Sequence, residues 1–133
     1  GTIGLFMAKQ AKEVIGIEEN PFAIEDAHKN AALNQISNAS FIQGKVKNIL
    51  KFQKFSPTCV IADPPRSGFE PKALMRTLAL QAPRLVYVSC NPVSMFRDLA
   101  ICEQAGYTIS YIQPVDMFPN TFHLECVCLL TLK

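Results

Sequence analysis

The sequence predicts an α/β domain whose sheet is mostly parallel and closes with one reversed strand. Three observations lead there. Helical and strand periodicities alternate along the chain with short connections between them. Runs such as Thr-Cys-Val-Ile-Ala (58–62) and Leu-Val-Tyr-Val (85–88) are continuously apolar and β-branched, as strands covered on both faces should be. Between the last two strand-like runs, residues 114–122 hold two prolines and no helical pattern. With no crossover helix, those two strands are antiparallel neighbours.

Taken in order, a helix over residues 3–12 is entered from Gly1-Thr2-Ile3-Gly4, and Glu13 to Glu18 is a short strand closing on an acid. Asn20-Pro21 is a cap followed by a proline suited to the first helical position, so a helix runs to about Asn34, with Glu25 and Asp26 near its positive end. Ala39 to Gln43 is a strand, Val46 to Phe52 a short helix, and Thr58 to Ala62 a strand that breaks at Asp63-Pro64-Pro65-Arg66-Ser67-Gly68. Pro71 to about Gln81 is helical, and Arg84 to Val88 is a buried strand. Pro92 to about Ala105 is a helix stopped by Gly106, and strands Tyr107 to Gln113 and His123 to Leu132 finish the chain. The opening glycine turn is of the kind that follows a strand. The sequence therefore reads as one domain over residues 1–133 whose first, central strand is missing, the carboxyl-terminal part of a longer protein.

Composition narrows the function classes. A chain of 133 residues with 49% apolar content can fill one core, and a net charge of +2 is too small to argue for a nucleic-acid footprint by itself. Five cysteines show no even framework and no metal-type Cys-x-x-Cys spacing, which suits a reducing compartment and no metal in this segment. Cys126 and Cys128 alternate on a strand and read as core. No apolar run approaches the length of a membrane span and no signal peptide is visible, so the expectation is a cytoplasmic protein with no membrane partner.

Chemistry concentrates where open α/β sheets bind ligands, beyond the carboxyl ends of the strands. Cys90 lies where a strand runs into a helix capped by Asn91-Pro92, a place where free backbone N–H groups and the macrodipole favour a thiolate. Glu18 ends the second strand of the pattern, a helix and a strand after the glycine turn, and could accept from both ribose hydroxyls of a nucleoside ligand. That pair of features is shared by nicotinamide and adenosyl-methionine binders, and the reversed final strand favours the methyl donor. The two prolines after Asp63 forbid helix and fix a rigid turn, which holds Asp63 and backbone carbonyls at the mouth of the cleft to position a ligand; the plainer alternative is a stiff structural turn with Arg66 solvated or paired with Asp63. Glu125 stands in an otherwise apolar strand, and a partly desolvated carboxylate suits a proton acceptor. His123 shares its face in an orienting or packing role, and His28 reads as solvated.

With Thr2-Ile3-Gly4-Leu5, Asp63-Pro64-Pro65-Arg66, Ser89-Cys90-Asn91-Pro92 and Asp116-Met117-Phe118-Pro119 followed by His123-Leu124-Glu125, the chain resembles the RNA uracil-5-methyltransferases, which make 5-methyluridine in 23S ribosomal RNA or in the T-loop of transfer RNA. The resemblance spans essentially all 133 residues. It implies a class I S-adenosyl-L-methionine-dependent methyltransferase (Rossmann-like) fold, with Cys90 as nucleophile, Glu125 as the base that removes the C5 proton, and Thr2, Glu18 and Asp63 at donor-binding positions. The implied partner is an RNA substrate, with 23S rRNA placed before tRNA uridine-54. Uracil C5 is a poor nucleophile, and thiolate addition at C6 turns the ring into an enolate that can take a methyl group. The target base must leave its stack, so a looped region is the natural substrate. The chain departs from the family by lacking an amino-terminal OB-like TRAM domain, iron–sulfur cysteines and the Gln-containing motif before the glycine turn. Lys45 also stands where many class I enzymes place an acid near the adenine.

Rival readings meet specific obstacles. An RNA cytosine-5-methyltransferase would carry a second cysteine in the proline turn, where this chain has Arg66. An adenine-N6 enzyme would want an aromatic residue after Asp-Pro-Pro and no thiol at Cys90. A nicotinamide dehydrogenase leaves Cys90 and Glu125 without a role. A catalytically inactive domain fragment is the remaining alternative, separable by donor binding.

Overall fold

The computed structural model describes all 133 residues, Gly1–Lys133, as two compact units, residues 1–53 and residues 54–133. The first unit holds helix α1 (Thr2–Ala8), strand β1 (Val14–Glu18), helix α2 (Pro21–Leu33), strand β2 (Ala39–Gln43) and helix α3 (Val46–Phe52). β1 and β2 pair in parallel, from Val14 opposite Ala39 to Glu18 opposite Gln43. α2 begins as its sequence demands: Asn20 Oδ1 accepts from the N–H of Phe22 at 2.9 Å, and Pro21 fills the first helical position. Its first turn carries no acid. Glu25 and Asp26 lie one turn further on, and Glu25 pairs with Lys29 at 2.6 Å instead of serving the helix end. α1 stops at Ala8, short of the expected residue 12. The Asn38 side chain donates to the carbonyls of Ala8 (2.8 Å) and Ala11 (2.9 Å), satisfying groups that a longer helix would have bonded internally.

The second unit holds strand β3 (Cys59–Ala62), helix α4 (Pro71–Leu78), strand β4 (Arg84–Ser89), helix α5 (Pro92–Gln104), strand β5 (Tyr107–Val115) and strand β6 (Glu125–Leu132). Its sheet runs β3-β4-β6-β5, with β3 parallel to β4 and β6 antiparallel to both of its neighbours. The reversed final strand is therefore present, and it is inserted between β4 and β5. α4 ends three residues before the expected Gln81, which adopts a left-handed φ of 50°.

Core packing in this unit is one-sided. Leu85, Tyr87 and Ser89 of β4 are buried, and Val86 and Val88 between them are only partly so, which corrects the expectation of a strand covered equally on both faces. Leu85, Tyr87, Cys128 and Leu130 of the sheet join Leu74 of α4 and Leu99 of α5 in a single cluster. Burying each such side chain contributes roughly 1.5–3 kcal/mol, and this cluster fixes the register of the strands. Cys126 and Cys128 are both buried on this face, as their alternation requires.

Candidate active site

Two chemically loaded residues, 35 positions apart in sequence, meet through the β4–β6 pairing. The last paired rung is Ser89 opposite Cys126. One step beyond, the chain leaves β4 at Cys90 and enters β6 at Glu125. Side chains directly opposite on antiparallel strands point to the same face, so continuing this register sets thiol and carboxylate side by side. Both are half-buried, and both line a cleft of about 320 Å³ together with Arg66, Phe118 and His123. A depression of equal volume lies in the first unit among Lys12, Glu13 and residues 37–40, at the amino ends of β1 and β2. Open α/β sheets bind ligands at the opposite, carboxyl ends, so the cleft at Cys90 is the candidate site.

The turn at Cys90 is tightly built. Ser89 Oγ accepts from the N–H of Asn91 and donates to its carbonyl, both at 3.0 Å. Asn91 Oδ1 then accepts from the N–H of Val93 at 3.2 Å, and Pro92 opens α5. The cysteine is thus held at the amino end of a 13-residue helix, as the sequence suggested. Glu125 pairs through its backbone with Val115 of β5, so this carboxylate is anchored on a strand with neighbours on both sides.

The wall opposite is aromatic and basic. The His123 ring meets Phe118 edge-on (centroids 6.1 Å) and lies tilted against Phe122 at 5.1 Å. Arg66 Nη1 reaches His123 Nδ1 at 3.4 Å, so Arg66 turns toward the cleft. The packing role expected of His123 agrees with these contacts. Phe118 as a wall of the site escaped the sequence reading, although its motif adjoins His123-Leu124-Glu125.

The three residues expected at donor positions are distributed between the units. Thr2 and Glu18 belong to the first. Thr2 is exposed and begins α1. Glu18 closes β1, where its Oε1 accepts from the N–H of Asn20 at 2.8 Å and its carbonyl accepts from Gly44 at 2.8 Å. Asp63 belongs to the second unit, directly after β3, and partial burial raises its carboxyl above the ordinary range. His28 is exposed and rests edge-on against Phe41.

This architecture defines a class: the structure superposes on an rRNA methylase from Streptococcus thermophilus with a TM-score of 0.74 over 97% of this chain and 79% of that one, at 16% identity, a likeness of fold. The α/β fold is that of the class I S-adenosyl-methionine-dependent methyltransferases. Within that class, a family model described as tRNA (uracil-5-)-methyltransferase matches residues 1–133, and the chain belongs to that family. An uncharacterized RNA methyltransferase of Oceanobacillus iheyensis is 46% identical over 136 residues, covering 100% of this chain and 30% of that protein. The tRNA (uracil-54, C5)-methyltransferase of Pyrococcus abyssi, solved with S-adenosyl-L-homocysteine, is 37% identical with a TM-score of 0.86, over 98% of this chain and 32% of that one. The chain thus spans about a third of the length of the Oceanobacillus iheyensis and Pyrococcus abyssi proteins. No helix is long and apolar enough to cross a membrane.

Proposed function

We propose that this chain carries the catalytic centre for methylation of uridine C5 in RNA, with Cys90 as nucleophile and Glu125 as proton acceptor. The convergence of these two side chains on one cleft supports the reading most strongly. S-adenosyl-L-methionine would supply the electrophilic methyl group. Glu18 suits it with an acceptor carboxylate at the carboxyl end of β1, and Asp63 with one at the end of β3; Thr2 adds a hydroxyl where α1 begins.

The residues of this chain would act in sequence. The Cys90 thiolate adds to C6 of the uracil ring, and the electron pair of the C5–C6 double bond moves toward O4. Arg66, on the cleft wall, offers N–H donors to a ring oxygen that gains charge in that step. C5 then takes the methyl group, and Glu125 removes the C5 proton. The electron pair left behind restores the double bond and expels the Cys90 thiolate. Phe118 gives the flipped base an aromatic surface to pack against.

The test uses the full-length protein and RNA containing 5-fluorouridine, whose C5 fluorine cannot leave as a proton. A denaturation-resistant adduct should form on Cys90 and vanish in Cys90→Ala, and Glu125→Gln should form an adduct with natural RNA and release it slowly. Failure of the wild type to form any adduct would refute the proposal. We take 23S rRNA first as substrate; the likeness to the Pyrococcus abyssi enzyme favours transfer RNA as the second reading. Methyl transfer to each RNA in parallel decides between them.

A further inference from the structure

The buried carboxylate of Asp98 has no part in the chemistry above, yet it is 1% exposed and accepts four hydrogen bonds. Its Oδ2 accepts from the Tyr87 hydroxyl at 2.7 Å and from the N–H of Phe69 at 2.8 Å. Its Oδ1 accepts from Arg97 Nε at 3.0 Å and Nη2 at 2.8 Å. The same Arg97 Nη2 donates to the carbonyl of Ser67 at 3.0 Å. One turn earlier on α5, Ser94 Oγ donates to the carbonyl of Arg66 at 3.0 Å, and Asn91 Nδ2 donates to that same carbonyl at 3.0 Å.

Arg66, Ser67 and Phe69 are therefore each hydrogen-bonded by side chains of α5. Gly68 is wedged in the middle at φ +81°, where a Cβ would come within 2.6 Å of both Arg97 Nη2 and Asp98 Oδ2. Phe69 adds an edge contact to Tyr87 at 5.4 Å. α5 starts two residues after Cys90, with Asn91 as its cap, so the helix that sets the nucleophile also sets the backbone from which Arg66 reaches into the cleft.

We infer that Ser94, Arg97 and Asp98 are positioning residues that act through Arg66, holding its guanidinium at a fixed place across the cleft from Cys90. The inference rests on the proposed function and goes beyond it by assigning a role to residues that do not touch the substrate. A misplacement of about 1 Å in a reacting constellation can lower a rate roughly a hundredfold.

A double-mutant cycle in the full-length protein separates this role from plain scaffolding. The variants are Arg66→Ala, Ser94→Ala, Arg97→Gln and Asp98→Asn, alone and in the Arg66→Ala background. The readouts are kcat for methyl transfer, KM for RNA, binding of S-adenosyl-L-homocysteine, and adduct formation with 5-fluorouridine RNA. Ser94→Ala and Arg97→Gln should each lower kcat roughly ten- to a hundredfold, with homocysteine-product binding within about twofold of wild type. In the Arg66→Ala background the same changes should alter kcat by less than about twofold. Equal losses in both backgrounds would overturn the inference while leaving the wild-type adduct, and so the proposed function, intact. Absence of the wild-type adduct would instead refute the proposed function and this inference with it. If Asp98→Asn fails to fold, the half-exposed Arg97 and the small Ser94 still decide the matter.

Discussion

Among five free thiols, position alone separates one from the rest. Burial pushes the Cys102 thiol up to about 12, with the Asp98 carboxylate adding to the effect, and burial pushes Cys128 up to about 11, helped by Cys126. Cys59 and Cys126 are raised for the same first reason. Only Cys90 lines the cleft. Iodoacetamide at about pH 8 should therefore modify Cys90 well before Cys102, Cys126 and Cys128, and peptide mapping that finds any of those three labelled first would contradict the assignment. The Tyr87 phenol, raised far above its ordinary range by burial and then by Asp98, stays a neutral donor. Tyr87→Phe removes a hydrogen bond to a charged acceptor and should lower unfolding free energy by about 1.5–3 kcal/mol in urea titrations. Asp63 works in the opposite sense. Its folded-state carboxyl titrates above the unfolded one, so the folded form binds that proton more tightly and stability declines as pH rises through the raised value. Asp63→Asn should then leave the melting temperature at pH 7 equal or higher while weakening donor binding; a lower melting temperature together with unchanged donor affinity would oppose both parts. Cys90 drew notice by its place between a strand and a capped helix, and Glu125 by interrupting an apolar strand. Asp98 also sits on an apolar stripe, between Met95 and Cys102, but its donors come from a strand, a loop and its own helix, and no local pattern joins them.

At the scale of elements, β2 and α3 have the bounds that periodicity assigns them, because turn signals flank both. α1 and α4 are shorter than their patterns. In α1 the cause is the side chain of Asn38, 30 residues from Ala8, and no reading of a local window contains that partner. The insertion of β6 between β4 and β5 was legible only as far as antiparallel neighbours; its pairing with β4 depends on Leu130 and Cys128 entering the cluster built by α4 and α5. α5 depends on Asn91 for its cap and for its hold on Arg66. Asn91→Ala should cost about 1 kcal/mol of stability, typical for loss of a cap, and should slow adduct formation by more than that loss explains. Denaturant titration and single-turnover kinetics on the same sample would show whether the two effects separate.

Across the whole molecule, β1–β2 and β3-β4-β6-β5 form two sheets, each within its own unit. Cys90 and Glu125, the proposed nucleophile and base, belong to one unit, and Thr2 and Glu18, two of the three residues proposed for the donor, to the other. The chain spans 30% of the length of its Oceanobacillus iheyensis relative. Residues 1–133 alone should therefore transfer no methyl group from labelled S-adenosyl-L-methionine to uridine-containing RNA, whereas the full-length protein should; incorporation by the 133-residue chain would contradict this.

On the proposed function, the β4–β6 ladder also constrains how a pyrimidine enters. Cys90 and Glu125 sit one step past the last β4–β6 rung, Ser89 opposite Cys126, so that ladder sets their spacing. Arg66 travels with α5, and Phe118 with an exposed loop outside the ladder. The ladder spaces the proposed reacting pair and α5 holds the Arg66 wall, so Phe118, on an exposed loop, is the wall left to yield to an incoming base.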